Sequence, residues 1–232
     1  MEASTTGSIA GAGAALCWAV GSLIFSRFKI SAAALNTCKN VVACTLLFGT
    51  LLVLWLQGYS GDHGGLLNTS LHAWTWLGIS GFVGLVVGDF CYFRSLQILG
   101  PRLALVMTLT CPPMAALMAK FALGEDPSGK WLGMIITLAG IAWVVYHRGE
   151  VSKDSAGHFP GSIQKGILFA LGGAAGQAVG AVLSKHAMQG LAFPLLGAAE
   201  TIPKVAPLEA SFIRLLFAAV IGLIVMFATG KA

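Results

Sequence analysis

Seven apolar stretches dominate this chain, near 8–26, 35–57, 74–97, 102–123, 131–147, 166–186 and 208–229. A helix rises ~1.5 Å per residue, so each is about long enough to cross the ~30 Å hydrocarbon core of a bilayer. Inside lipid every backbone polar group must find its partner within the segment, which leaves helices as the fold for spans of this length. The expectation is an all-α, polytopic helical membrane protein of about seven transmembrane helices. Composition agrees: charged residues make up 10% of 232, against roughly 25% in a water-soluble domain. Disordered, collagen-like and disulfide-stapled classes are excluded on the same figures.

The five cysteines, Cys17, Cys38, Cys44, Cys91 and Cys111, lie within or against apolar runs and show no metal-ligand spacing. They read as small packing residues, and neither a metal nor a cofactor is implied. The first residues lack the basic region that opens a signal peptide, so the first span is expected to be retained. The most polar segment, 148–165, separates a first unit over 1–147 from a second over 166–232. Seven spans place the basic residues of alternate loops on opposite faces. One face collects Arg27, Lys29, Lys39, Arg94, Arg102, Arg148, Lys153, Lys165 and Lys231; the other holds Lys120, Lys130, Lys185, Lys204 and Arg214. The positive-inside rule then favours a cytoplasmic 148–165 loop and an external N-terminus in the cell (plasma or inner) membrane. The net charge of +5 is accounted for by these loops, without a nucleic-acid partner.

The sixth span repeats the first. Gly13, Cys17 and Gly21 align with Gly172, Gly176 and Gly180, Ala19-Val20-Gly21 recurs as Ala178-Val179-Gly180, and Trp18 falls opposite Gln177. Small residues every four positions form a flat stripe on which another helix can approach closely. The next span extends the repeat, with Lys39 and Arg214 each a few residues into a helix. Each unit would then hold five helices, an odd number, so successive units lie upside down relative to one another. The chain counts as one five-helix unit plus the first two helices of an inverted second. Inverted repeats characterise many secondary transporters, whose substrate sites lie near the midplane.

Asp89 is the acidic residue deepest in a span. Such a group costs about 2.5 to 3.5 kcal/mol on insertion scales and faces a partner, water or the bundle interior. Lys39 is the better-placed partner, because Arg94 at i+5 lies about 140° round the helix. A pairing that only holds helices together remains the alternative to a functional one. Asn36, Lys39 and Asn40 share one helical face, either as a polar cavity wall or as a first turn still among headgroups. Pro112 and Pro113 interrupt the fourth span and free carbonyls near Thr108 and Leu109, with Thr108 and Thr110 adding hydroxyls. This kink serves either a cavity or packing. Lys120, Lys185, His186, Glu209 and Arg214 read as interface anchors.

The third to fifth spans are more specific. Gly88-Asp89-Phe90-Cys91-Tyr92-Phe93-Arg94-Ser95-Leu96 is followed by Leu99-Gly100-Pro101-Arg102-Leu103-Ala104, Pro113, Leu123-Gly124-Glu125, Gly133 and Gly140. This order resembles the EamA-type domain of the drug/metabolite transporter superfamily. The resemblance implies a ten-helix transporter of two inverted five-helix halves that exports or exchanges small organic metabolites. It carries Gly88, Asp89, Pro113, Gly124 and Glu125 onto motif positions, Glu125 in a structural or gating role. It also implies both ends in the cytoplasm, against the charge count.

The leading expectation is therefore a secondary transporter, not an enzyme. Its partners are the lipid bilayer and a small-molecule metabolite, with homodimer formation left open. The expected cavity is lined by Asp89, Lys39, Asn40, Thr108, Thr110, Trp18 and Gln177. Pro112, Pro113, Gly124 and Glu125 would serve kinking or gating. Two alternatives stand beside it. Gly78-Ile79-Ser80-Gly81 has the G-x-S-G form of an intramembrane serine protease, with His186 as base. The chain could also be a non-transporting fragment or assembly subunit.

Overall fold

The computed structural model describes residues 2–58, 65–126, 129, 131–147, 162–189 and 204–229. Most of the polar 148–165 segment lies outside them. Seven helices account for nearly all of the described chain: α1 (Glu2–Phe25), α2 (Ala32–Leu56), α3 (Leu71–Leu99), α4 (Pro101–Leu123), α5 (Trp131–Tyr146), α6 (Ile163–Gln189) and α7 (Pro207–Thr229). Among the described residues α2, α3, α4, α6 and α7 are long and apolar enough to cross a membrane, while Ile9–Phe25 and α5 are shorter apolar helices. The protein is a polytopic helical membrane protein. Its surface is inverted relative to a soluble domain: Leu46, Trp55, Leu132, Ile136 and Phe227 are exposed, whereas Ser22, Asn36, Asn40, Ser80, Asp89 and Ser95 are buried. Lipid tails solvate large aliphatic groups, so polar side chains gather inside, where partners exist.

Local signals set the ends. Ser31 and Ser70 cap α2 and α3, each hydroxyl accepting from the backbone N–H three residues on, at 3.1 and 3.2 Å. Such caps satisfy amides that the first turn of a helix leaves unpaired. Gly100, at φ 77°, makes the one-residue turn from α3 into Pro101, the first residue of α4. Gly124, at φ 68°, ends α4 in the left-handed conformation that glycine adopts without strain.

At the centre α3 packs along α6. Cβ atoms added to Gly176 and Gly180 would stand 2.8 and 2.9 Å from the Cα atoms of Gly88 and Gly84, closer than side chains allow. These two helices meet backbone to backbone, and Ser80 Oγ donates across the seam to Gly180 O at 2.6 Å. The contact face of α6 is Gly173, Gly176 and Gly180, because Gly172 is exposed and a Cβ there would touch only Cys91. Gly13 and Cys17 of α1 are exposed, and a Cβ on Gly13 would meet nothing within 4 Å. Of the two matching stripes, only that of α6 is packed among the described residues. On the other flank α7 lies antiparallel to α2, with Gly222 against Thr37 and Phe212 against Phe48, rings 5.9 Å apart. Phe217 and the Arg214 backbone fit against Gly78 and Gly81 of α3.

Residues Phe82–Gly88, in the middle of α3, wind as a π-helix. The sequence reading expected ordinary helix throughout this span. The wider wind redirects the carbonyls of Leu85 and Val86, and it falls where Gly84 and Gly88 offer no side chain to resist the approach of α6. Wider turns of this kind recur at functional sites.

Candidate functional site

The end of the π stretch presents Asp89, 1% exposed, to the face of α2 that carries Asn36, Lys39 and Asn40. Asn36 Nδ2 donates to Leu85 O at 2.9 Å and Val86 O at 3.1 Å, and Asn40 Nδ2 donates to Leu85 O at 3.3 Å. A carbonyl left open in lipid costs several kcal/mol, so these amides let the wide turn exist. The polar face of α2 therefore turns towards α3 and serves its backbone. Asn40 serves the helix seam, with Asn36 Oδ1 as its second acceptor at 3.2 Å.

Lys39, next to Asn40 and one turn on from Asn36, forms an ion pair with Asp89 Oδ2. Gln177 of α6 donates Nε2 to the other carboxylate oxygen. Asp89 is thus held by groups from two helices that approach it from different sides. The lysine head stands 5.8 Å from the ring centres of both Trp18 and Phe93, where the negative faces of the rings attract a cation. Trp18 also packs on Tyr92 at 5.3 Å, and Tyr92 donates its hydroxyl to Ser22 Oγ at 2.7 Å, which donates to Trp18 O. Trp18 and Gln177, opposite one another in the repeat, thus lie on two sides of the same ion pair.

Arg214, read from the sequence as an interface anchor, instead enters the bundle. One terminal nitrogen lies 3.3 Å from where a Cβ on Gly84 would be, in the π stretch that ends beside Asp89. Its Nε is buried without a hydrogen-bond partner among the described residues. Correspondence with Lys39 was the one sequence signal that pointed to it.

Other expected residues stand apart from this cluster. Thr108 donates to Ala104 O at 3.0 Å and Thr110 to Met107 O at 2.7 Å, so both hydroxyls serve their own helix at the break before Cys111. Pro112 is exposed and Pro113 buried within the following turn. Glu125 pairs with Lys185 at 2.5 Å, both about 40% exposed, which ties the α4–α5 turn to the end of α6. Ser80 gives its proton to Gly180 O, while His186 sits further along α6 with its ring against Trp76, 5.4 Å away. A serine bonded to a main-chain carbonyl is a packing hydroxyl, not one activated by a base.

The EamA-like transporter family matches residues 5–146, more than half of the chain and all of α2 to α5. The chain belongs to the EamA-like transporter family. Members of this family are membrane transporters, not enzymes. No curated protein matches the chain. Within this EamA-like chain, Asp89, Lys39 and Trp18 lie inside the matched span, while Gln177 and Arg214 come from α6 and α7 beyond it.

Proposed function

We propose that this chain moves a small organic metabolite across the cell membrane by alternating access, with Asp89, Lys39, Gln177 and Trp18 at its substrate site. The observation that carries the reading is the buried Asp89 carboxylate, held between α2 and α6 beside a π turn. Ionisable groups in transmembrane segments cost enough that they generally mark ion or substrate paths. Around Gly84, Gly88, Gly176 and Gly180 the seam between α3 and α6 is backbone against backbone, a contact that suits one helix shifting along the other. The antiparallel packing of α2 on α7 supports two inverted units, 1–147 and 166–232, rocking about a site between them.

Lys39 and Gln177 hold Asp89, the Arg214 head lies against Gly84 of the adjoining π stretch, and Tyr92 stands one turn further along α3. Protonation of Asp89 would release Lys39, which offers a way to couple substrate movement to protons. Proteoliposomes loaded with a defined mixture of amino acids, amines, sugars, organic acids and phosphate monoesters test the reading, with released compounds read by mass spectrometry. The wild-type chain is expected to release a subset in a pH-dependent manner. D89N, inserted to the same level, is expected to lose that pH dependence. No release by the wild type, or an unchanged pH profile in D89N, contradicts the proposal.

A further inference from the structure

Two cations face one acid in this site. Lys39 is committed to Asp89, and the Arg214 head comes from α7 against Gly84, in the π stretch that ends beside Asp89, while its Nε lacks a hydrogen-bond partner among the described residues. Among the described residues, Lys39, Asp89 and Arg214 together carry one positive charge in excess. Charges at this depth are normally neutralised by pairing, because removing an ion from water costs several kcal/mol that only a partner offsets. A guanidinium is the group least able to escape by losing its proton, and its planar fork matches the two oxygens of a carboxylate or phosphate. Gly84 leaves room for the Arg214 head, since any side chain there would press on it.

Resting on the transport reading above, we infer that the substrate is an organic anion, whose carboxylate or phosphate group is bound by Arg214 and by Lys39 once Asp89 releases it. Asp89 is then the competitor that holds Lys39 and not the substrate's own contact. Gln177, which donates to Asp89, is freed in the same exchange to donate to the incoming oxygen. Trp18, beside the lysine head, offers an aromatic surface to the body of the molecule.

The roles of the two oppositely charged residues make the inference testable. Binding of phenyl phosphate, benzoate and benzylamine to the full chain in lipid nanodiscs compares probes with the same aromatic ring and opposite charge. The two anions are expected to bind and benzylamine not. R214Q should weaken anion binding at least about tenfold, the loss of a charge-assisted hydrogen bond, and R214K should fall between the two. D89N should strengthen anion binding several-fold, because it removes the competitor. Equal anion affinity in the wild type and R214Q overturns the inference, as does preferential binding of benzylamine. Should D89N fail to fold, the series from wild type through R214K to R214Q still decides. Vesicles that release only amines or neutral compounds would refute the anion and leave transport standing. Vesicles that release nothing would refute transport while the binding series remains readable.

Discussion

Asn36 shows how a single side chain permits an unusual backbone. Its amide takes two carbonyls of the π turn, and its loss would leave Val86 O without that donor. N36L should therefore destabilise the protein by about 1 kcal/mol, within the range for a buried acceptor left unpaired and near what side-chain hydrogen bonds are worth inside membranes. Thermal unfolding in detergent micelles measures it, and a melting curve that overlays the wild type would show that the turn does not need the clamp. The Lys39–Asp89 pairing was legible in the sequence, because an acid at depth demands a cation and the adjacent antiparallel span offered one whose stem could bridge the difference in depth. Gln177 was reached only through its repeat partner Trp18. Arg214 was missed because a cation a few residues into a helix looks the same whether it reaches out to headgroups or inward; only the glycines opposite, Gly81 and Gly84, decide between them.

Helix contacts divide into those where backbone meets backbone and those that are loose. Adding a methyl to Gly176 would drive it against Gly88, while the same methyl on Gly172 or Gly13 enters ordinary or open space. G176A should cost about 1 to 3 kcal/mol, the range for overpacking a tight site, and G172A and G13A close to nothing. Unfolding midpoints of the three variants side by side would contradict this packing if they fell together. The pair Glu125–Lys185 is half-exposed, and such pairs contribute about 0 to 1 kcal/mol. E125Q should therefore leave the melting temperature nearly unchanged, and a large drop would assign the turn a heavier structural share. At this scale the number of helices and the span limits were legible from apolar length alone. The π wind was not, because Phe82–Gly88 is under two turns of glycine and apolar residues, too short and uniform for a change of period to show. Nor was it legible that α6 buries its stripe while α1 does not: a small-residue pattern records the capacity for close approach, and the partner decides its use.

The whole molecule is a bundle in which α3 is the shared element, seamed to α6 by glycines, clamped to α2 by amides and backed by α7. Lys39, Asp89 and Arg214 come together where these four helices meet, and α1 adds an aromatic wall. Membership of a transporter family, a buried ion pair and a glycine seam support the proposed account, a site whose occupancy is governed by Asp89. Release from loaded proteoliposomes, followed across a range of pH for the wild type and D89N at equal insertion, tests that account most directly. It predicts pH-dependent release by the wild type and a flat profile for D89N; identical profiles for the two proteins would contradict it.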